Sequence, residues 1–427
     1  MPPRKIKIAI AGVGTVGKGL LDLLKKYENK EIKIQISAIA SRKKRKFLGK
    51  SFKNTVFFDD ANELLNFSDY DILVELIGGD NGPPKRIVFD ALNKGKHVVT
   101  ANKALVSKFW HEILEVSVKN NCLLKYEASV AGGIPIIKVI DEFLLSNRIK
   151  KIYGILNGTC NYILTNMFSF DKDFRTVLNE AQKLGYAEAD PTFDIDGLDT
   201  VHKLSILSSL AFNFNNDIKN IKLEGIQNIN LLDLKFADSL GYKIKLLGIT
   251  ELKEKEIKNA VYPCLISKES FIAKVDGVYN GVVVESDFCK KSFFVGEGAG
   301  SHPTATSVLS DIISIAKKQS NEYPKELKYN KYIYSRLEDR WGSYYLRFTT
   351  EDKPGVISGI ANEFKRFKIS MKSMLQKERE NSQSKNATIV ITTHNCVEKN
   401  MMQALRRINR LSFINKKTIY LRIEDFK

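Results

Sequence analysis

The sequence predicts an α/β protein built from two or three domains. The first domain is expected to hold a parallel sheet with helices on both faces, the second an α+β arrangement with a mixed sheet, and the last a small α+β module. Three observations lead to this prediction. A glycine-rich turn joins a strand to a helix near the N-terminus, buried-strand and helix patterns alternate up to about residue 135, and a β-α-β-β-α-β order follows residue 342. A chain of 427 residues is long enough for such domains.

A Gly-x-Gly-x-x-Gly turn follows the first strand pattern, residues 6–11, and precedes an apolar helix. In this context the glycines let the backbone turn tightly and approach a pyrophosphate, which would lie at the helix N-terminus. The pattern therefore predicts a Rossmann-type dinucleotide-binding domain. The candidate cofactor-binding residues of the turn are Gly12, Val13, Gly14, Thr15, Val16 and Gly17.

The second predicted strand, residues 32–40, ends in a basic turn. A fold that selects NAD usually carries Asp or Glu there to hold the ribose hydroxyls. This chain has Ser41, Arg42 and further cations at 43–46 instead. Because cations suit a 2′-phosphate, Arg42 is a candidate cofactor residue and NADP is favoured over NAD. A solvated basic turn is the alternative.

Two further strands lead to loops on the cofactor side of the sheet. Strand 71–77 runs into a loop that starts at Gly78, and strand 96–100 ends at Thr100, shortly before Lys103. Ligands bind at the carboxyl ends of the strands in such sheets. These three residues are therefore candidates, although a lysine after a strand is usually only a surface residue.

A small glycine-rich loop, residues 127–135, follows a strand at 122–126 and opens a helix. It can turn several backbone carbonyls and one carboxylate inward, which suits a hard monovalent or divalent cation. A tight strand-to-helix connection is the plain alternative.

An acid-rich stretch, residues 185–203, lies in the second domain. Pro191 and Gly197 break its first part into turns, and a helical pattern starts at Leu198. On that helix Asp199 and Lys203 are four positions apart, so their side chains meet on one face. Such a pair can orient an ammonium toward a bound substrate, or it can be a weak surface ion pair.

Composition narrows the class of protein. The net charge is +18 and the pI about 9.4, but the lysines are scattered and frequently near acids, so no nucleic-acid partner is expected. The five cysteines are dispersed without a Cys-x-x-Cys pair, which indicates reduced thiols in a cytoplasm. No apolar stretch of about eighteen residues occurs, and no signal-peptide pattern precedes the first strand, so no membrane association is expected.

The predicted domains have the following boundaries. Residues 1–135 and 302–320 form the dinucleotide-binding domain, 136–301 a substrate-binding and dimerisation domain, 321–341 a linker, and 342–427 a ferredoxin-like module.

Several motifs occur in the order found in homoserine dehydrogenases, and the first 320 or so residues resemble that family. They are the turn at 12–17, residues 100–103, 157–159, 185–191 and 194–203, and the loop at 298–304. The C-terminal module resembles an ACT domain, an amino-acid-sensing module, through the turn at 352–356.

The resemblance implies NAD(P)H-dependent reduction of L-aspartate 4-semialdehyde to L-homoserine, on the route to threonine, methionine and isoleucine. It implies that Lys203 is the proton donor and that Lys103 assists it beside the nicotinamide. Further implied contacts are Glu188, Asp199, Asp194, Thr159, Tyr186 and Gly158 for substrate, Gly185, Gly298 and Gly300 for cofactor, and Glu127, Val130, Gly132 and Ile134 for sodium. It also implies a homo-oligomer, dimer or tetramer, that is feedback-inhibited by threonine.

Physical chemistry adds one expectation and leaves two alternatives. Two lysines that converge on one oxygen should repel each other and lower the pKa of at least one. A phosphorylating semialdehyde dehydrogenase would instead need a thiolate, for which Cys160 is the candidate, and His202 is the only histidine near it in sequence. A sensor that binds nucleotide and amino acid without catalysis is the other alternative.

Overall fold

The computed structural model describes residues 3–42, 54–317, 328–377 and 386–426. The basic residues at 43–46 and the first part of the predicted linker, residues 321–327, lie outside this part. None of the helices within these ranges has the length and apolar character needed to cross a bilayer.

The first domain holds a fully parallel sheet of six strands within the described ranges. The strands are β1 (Arg4–Ala11), β2 (Ile32–Ala40), β3 (Val56–Phe58), β4 (Ile72–Glu75), β5 (His97–Thr100) and β6 (Leu124–Lys125). Its helices are α1 (Thr15–Lys26), α2 (Pro83–Asn93), α3 (Lys103–Lys108) and α4 (Trp110–Lys119). The order β3-β2-β1-β4-β5-β6 is that of a doubly wound dinucleotide-binding sheet, which confirms the predicted Rossmann-type fold.

The sheet is covered on both faces, as the apolar runs of its strands require. Along β1, Ile8 and Ile10 face one core and Ala9 and Ala11 face the other, because successive side chains of a strand point to opposite sides. All four residues are fully buried. The near-continuous apolar pattern of β1 therefore reflects burial on both faces.

The second domain is built on a mixed sheet. Its strands are β7 (Ile149–Ile155), β8 (Lys222–Leu223), β9 (Tyr242–Lys253), β10 (Glu256–Ser267), β11 (Tyr279–Ser286), β12 (Lys291–Glu297) and β13 (Ile333–Tyr334). Its helices, with the one that follows the sheet, are α5 (Ile136–Lys138), α6 (Gly158–Ser169), α7 (Phe174–Lys183), α8 (Thr192–Ile195), α9 (Leu198–Phe212), α10 (Leu231–Ser239) and α11 (Ser301–Lys317). The long strands are antiparallel, whereas β8 and β13 pair with β10 in parallel, so the predicted mixed sheet is confirmed.

Helix α11 leaves the mixed sheet and packs on α1 of the first domain. The two helices can touch because Gly19 of α1 has no side chain: an added Cβ would lie 2.5 Å from the carbonyl oxygen of Ser301. The hydroxyl of Ser301 donates a hydrogen bond to the carbonyl of Thr15 at 2.8 Å. This contact places the loop before α11 next to the glycine-rich turn.

The C-terminal module comprises β14 (Trp341–Glu351), α12 (Val356–Arg366), β15 (Met371–Lys377), β16 (Asn386–Thr393), β17 (Cys396–Val397), α13 (Glu398–Ile408) and β18 (Ile414–Glu424). The sheet order β18-β14-β16-β15 is that of a ferredoxin-like fold. Strand β18 also pairs in parallel with β10, from Cys264 opposite Arg422 to Ile266 opposite Glu424. The module and the second domain therefore share one continuous sheet. Strand β13, which lies in the predicted linker, pairs with β10 of the second domain.

Candidate active site

Two lysines on helices of different domains meet at one buried carboxylate, that of Asp199. Lys203 Nζ lies 2.7 Å from Asp199 Oδ2, and Lys103 Nζ lies 2.9 Å from Asp199 Oδ1. Lys103 opens α3 directly after Asn102, whose side chain accepts the N–H of Leu105 at 3.1 Å and caps the helix. Lys203 lies on α9, in the second domain. The fold thus joins two candidates that are far apart in sequence.

A further contact to this carboxylate comes from Asn157, the residue before α6. Its Oδ1 accepts the N–H of Cys160 at 2.7 Å, and its Nδ2 donates to Asp199 Oδ2 at 2.9 Å and to Asp194 Oδ1 at 2.7 Å. One amide therefore caps a helix and holds two carboxylates together. Asn157 begins the 157–159 motif but was not among the predicted site residues, although an asparagine directly before a helical pattern was the available signal.

The charges of this cluster shift one another's pKa. Burial raises the pKa of Asp199, but the ammonium groups of Lys203 and Lys103 outweigh it and hold the pKa well below its usual range. The charge of Asp199 in turn raises the pKa of Lys103, against the effect of burial. Repulsion was expected to lower the pKa of at least one of the two lysines; Lys103 is not that lysine, because a shared carboxylate lies between the two cations. Burial, together with the charge of Asp199, raises the pKa of Asp194.

Lys203 is only 8% exposed, and its ammonium is held by a second acceptor. Its Nζ donates to the carbonyl of Leu156 at 2.7 Å, in addition to its bond with Asp199. An ammonium has three N–H donors. Among the residues that the structure describes, these two acceptors leave one N–H of Lys203 for an oxygen of a bound molecule.

The remaining substrate candidates lie on the acid-rich loop and at the start of α6. The hydroxyl of Thr159 donates to the carbonyl of Tyr186 at 2.6 Å, which ties α6 to the loop. Gly158 lies in the same turn of the helix. The side chain of Tyr186 is 45% exposed, and Glu188 is exposed as well. The loop thus contributes an open rim above the buried lysine cluster.

The glycine-rich turn satisfies the steric demands of close backbone approach. Gly12 has φ +102°, and an added Cβ there would lie 2.9 Å from the carbonyl of Leu76. An added Cβ at Gly17 would lie 2.3 Å from the carbonyl oxygen of Gly12. Gly14, at the N-terminus of α1, has open space where a side chain would stand. The same turn contains Val13, Thr15 and Val16.

A buried network, absent from the sequence predictions, joins the ends of β4 and β5. Glu75 is fully buried, and its Oε2 accepts the hydroxyl of Thr100 at 2.7 Å. Its Oε1 accepts the N–H groups of Ile77 at 2.8 Å and Gly78 at 3.1 Å. Burial raises the pKa of Glu75. The network fixes Thr100 and the start of the Gly78 loop at the cofactor edge, and an acid inside an apolar strand pattern was its sequence signal.

The other cofactor candidates lie on three separate loops. Arg42 is exposed just beyond β2, and Gly185, with φ +78°, has open space beyond α7. Gly300, with φ +123°, directly precedes α11. Gly298 instead contacts Asn280, since an added Cβ would lie 2.0 Å from the side-chain Cγ.

The side chain of Glu127 does not turn into the predicted cation loop. Its carboxylate accepts the N–H groups of Ile137 at 2.8 Å and Lys138 at 2.9 Å, and both residues lie in α5. Burial, with the charge of Asp311, raises the pKa of Glu127 to about 7. The carboxylate expected inside the loop therefore binds helix amides instead.

The backbone of this loop is tightly folded and lies against the loop before α11. Gly132 has φ +50°, and its carbonyl accepts the hydroxyl of Ser307 at 2.6 Å. An added Cβ at Gly132 would lie 2.6 Å from the carbonyl of Gly298. Val130 and Ile134, which precede and follow Gly132 in the loop, are buried. Within the described ranges, no group of three or more His, Cys, Asp or Glu side chains is arranged to hold a metal ion.

Cys160 is poorly suited to nucleophilic chemistry. It is fully buried, its thiol donates to the carbonyl of Asp194 at 3.2 Å, and burial raises its pKa. His202 is bonded elsewhere, with Nδ1 2.6 Å from the hydroxyl of Ser107. This arrangement offers no thiolate–histidine pair and gives the thioester alternative no support.

Comparison with known proteins matches this architecture over almost the whole chain. Family models for "Homoserine dehydrogenase" and "Homoserine dehydrogenase, NAD binding domain" match residues 135–313 and 12–127. The homoserine dehydrogenases of Neisseria gonorrhoeae and Helicobacter pylori are each 38% identical to it. The alignments cover 99% of this chain and 99% and 100% of those proteins, respectively.

Solved structures give the same result. A homoserine dehydrogenase from Thiobacillus denitrificans has a TM-score of 0.92 at 36% identity, with 100% of both chains covered. A hyperthermophilic archaeal homoserine dehydrogenase mutant in complex with NADPH has a TM-score of 0.63 at 26% identity, with 75% of this chain and 99% of that chain covered. The family models, the full-length relatives and the shared fold agree, and the chain belongs to the homoserine dehydrogenase family.

Proposed function

We propose that Lys203 is the proton donor of this nicotinamide-dependent oxidoreductase, which interconverts L-aspartate 4-semialdehyde and L-homoserine. The observation that supports this role is the buried cluster in which Asp199 binds Lys203 at 2.7 Å and Lys103 at 2.9 Å. The nicotinamide, when bound, supplies the hydride, and the chain must protonate the aldehyde oxygen. Lys203 can do so through the N–H that neither Asp199 nor Leu156 accepts.

Lys103 is proposed to assist from the cofactor side. Its side chain is 33% exposed, against 11% for Lys203, so it is the more accessible cation of the cluster. A positive charge beside the oxygen stabilises the negative charge that develops during reduction. The bond to Asp199 holds this charge in place before the substrate binds.

The carboxylates of Glu188 and Asp194 are proposed to receive the substrate's ammonium. Asp194 is fixed by Asn157, whereas Glu188 stands on the exposed rim of the acid-rich loop. Thr159 and Tyr186 complete this wall, since their bond at 2.6 Å sets the distance between α6 and the loop. A site with cations for the aldehyde oxygen and anions for the ammonium would orient an amino-acid aldehyde in one direction.

NADP is proposed as the preferred cofactor. The open space at Gly14 and Gly78 suits a dinucleotide at the carboxyl edge of the parallel sheet. Arg42 is exposed beyond β2 and can pair with a 2′-phosphate. The archaeal relative whose structure holds NADPH is consistent with this choice.

A monovalent cation, sodium by resemblance, is proposed at the loop that contains Glu127, Val130, Gly132 and Ile134. The ligands would be backbone carbonyls, because the Glu127 carboxylate is engaged by helix amides. Uncharged oxygens in a tight loop suit a hard ion of low charge. The cation would stabilise the structure and take no part in the reaction, since this loop contacts the Gly298 loop rather than the lysine cluster.

The C-terminal module, residues 342–427, is proposed to be an ACT domain that binds threonine and lowers activity. Its β14–α12 turn places backbone amides at a helix N-terminus that begins after Gly355, with Asp352 close by in sequence. ACT modules generally pair, which supports a homo-oligomer, dimer or tetramer. A cytoplasmic location is also proposed, since all five cysteines are free thiols and four of them are buried.

The test is Lys203→Ala, assayed with aspartate semialdehyde and both nicotinamides. Turnover should fall by about 10² or more, the usual scale for a lost positioned acid. Lys94→Ala is the matched control, because Lys94 also binds an aspartate four positions earlier and a leucine carbonyl, but directly after α2. The control should keep its turnover and melting temperature. Lys203→Ala should remain folded but melt at a lower temperature, because the buried Asp199 loses one of its two cationic partners.

Near-normal turnover of Lys203→Ala would reduce Lys203 to a structural partner of Asp199. Absence of any NAD(P)H oxidation in the parent enzyme would instead favour the sensor that does not catalyse.

A further inference from the structure

Asn280 lies behind the lysine cluster, on β11, and is fully buried. Its Nδ2 donates to the carbonyl of Leu156 at 3.1 Å. The same oxygen accepts the Nζ of Lys203 at 2.7 Å. A carbonyl oxygen has two lone pairs, so these two donors account for both. The acceptor that orients the Lys203 ammonium is therefore itself held by Asn280.

The other side of the Asn280 amide contacts the loop before α11. A Cβ added to Gly298 would lie 2.0 Å from Asn280 Cγ and 2.3 Å from its Oδ1, so this approach requires glycine. The amide is thus confined between the Gly298 loop and the Leu156 carbonyl. The contact connects a loop on the cofactor side with the proposed proton donor.

The amide oxygen of Asn280, Oδ1, is buried and makes no hydrogen bond within the described part of the chain. A buried amide oxygen without a partner costs free energy, and an apolar residue of similar size would avoid that cost. What the site uses is therefore the N–H that Asn280 donates to Leu156.

We propose that Asn280 is a positioning residue for the reduction: it fixes the Leu156 carbonyl and, through it, the direction of the reactive N–H of Lys203. This inference rests on the proposed role of Lys203. An ammonium group turns easily about its Cε–Nζ bond, and two fixed acceptors are needed to aim its third N–H. Without Asn280 the carbonyl can turn, and the ammonium turns with it.

The experiment is a double-mutant cycle of Asn280→Leu and Lys203→Ala. Asn280→Leu alone should lower kcat roughly ten- to a hundredfold, the scale of a misplaced reacting group. The KM values for semialdehyde and nicotinamide should not change, because Asn280 is buried beneath the site. In the Lys203→Ala background the same substitution should lower kcat no further, because its whole effect passes through Lys203.

Asn259→Leu is the matched control for losing a buried asparagine. Asn259 lies on β10 of the same sheet, where it accepts the hydroxyl of Ser208 at 3.0 Å and donates to Asn216 at 3.1 Å, away from Leu156. It should lower the melting temperature without the drop in kcat. Asn280→Ala serves if the leucine variant does not fold, since the smaller side chain avoids any clash and also removes the donor to Leu156; it should give the same pattern.

Three results would overturn the proposal: normal kcat in both Asn280 variants, an effect confined to KM, or an equal loss of kcat with and without Lys203. The last would mean that Asn280 acts on the fold in general. A Lys203→Ala variant with normal turnover is a different outcome, because it removes the proton-donor role and the Asn280 inference together.

Discussion

At the scale of single residues, the charge balance of the site depends on Asp199. Its two oxygens are used by two different lysines, so one buried negative charge stabilises two positive ones. A buried carboxylate with such partners remains ionised at every working pH, because both lysines hold its pKa far down. The two lysines and Asp199 together carry one excess positive charge, which suits an aldehyde oxygen that becomes negative.

Asp199→Asn should change the pH dependence of the reaction as well as its rate. Asp199 raises the pKa of Lys103, so its removal should lower that pKa and leave two cations facing each other. Lys103 would then lose its proton at a lower pH than in the parent enzyme. The alkaline limb of the profile of kcat against pH should therefore shift to lower pH. The measurement is kcat against pH with saturating substrates.

The control for Asp199→Asn is Asp90→Asn, which removes the carboxylate of an exposed pair at the same spacing, Asp90 and Lys94. It should leave the profile in place. An alkaline limb at the parent position in Asp199→Asn would show that neither lysine titrates in the observed range.

At the scale of elements, the residues that the sequence made predictable are those with local signals. The glycine-rich turn between β1 and α1 and the Asp199–Lys203 pair depend on neighbours within a few positions, so spacing alone reveals them. Asn157 carried a local signal too, as a helix cap, but its bonds to two carboxylates depend on the tertiary fold.

Contacts between elements could not be predicted in this way. Lys103 was a candidate from its position after β5, but its contact with Asp199 exists only because α3 of the first domain packs beside α9 of the second. Asn280 faces Gly298 and Leu156 only after β11 and β12 have paired and β7 lies beside them. No periodicity reports such contacts, since they join positions far apart along the chain. The shared carboxylate also raises the pKa of Lys103, whereas repulsion between the two lysines was expected to lower the pKa of at least one of them.

The end of β2 should decide between the two nicotinamides. Arg42→Ala should raise the KM for NADPH about tenfold, which corresponds to losing one charge-assisted contact of about 1.4 kcal/mol. The KM for NADH should stay the same, because NADH has no 2′-phosphate. Arg175→Ala, an exposed arginine on α7, is the control and should alter neither value. Equal effects of Arg42→Ala on both cofactors would contradict NADP selection.

At the scale of the whole molecule, the C-terminal module is joined to the second domain by strand pairing and by buried charges. The guanidinium of Arg422, with a side chain 1% exposed, donates to both oxygens of Glu224 at 2.8 and 2.9 Å. Arg347 binds the buried Asp233 at 2.6 Å. Cutting the chain before the module would leave Glu224 and Asp233 without their arginines, so a point substitution tests regulation more cleanly than a truncation.

Glu224 lies next to the loop that leads to the active site. The following residue, Gly225, packs so closely that an added Cβ would lie 2.5 Å from the carbonyl oxygen of Ile195. Ile226 donates its N–H to that carbonyl at 2.9 Å. Ile195 ends α8, shortly before Asp199. A shift of the module at Arg422 therefore has a short physical route to the lysine cluster.

Glu224→Gln should weaken the proposed inhibition by threonine without abolishing activity in its absence. In the parent enzyme, threonine binding needs to favour the less active arrangement by roughly 1–3 kcal/mol. Removing the charge of Glu224 loosens the link between module and loop, so the inhibited fraction at saturating threonine should fall. Glu363→Gln is the control, because Glu363 pairs with Arg407 inside the module at 2.7 Å, and this variant should leave inhibition intact.

If millimolar threonine changes neither the rate nor the melting temperature of the parent enzyme, the proposal that the module senses threonine is wrong. If Glu224→Gln is inhibited as strongly as the parent, the signal does not pass through Arg422 and Glu224.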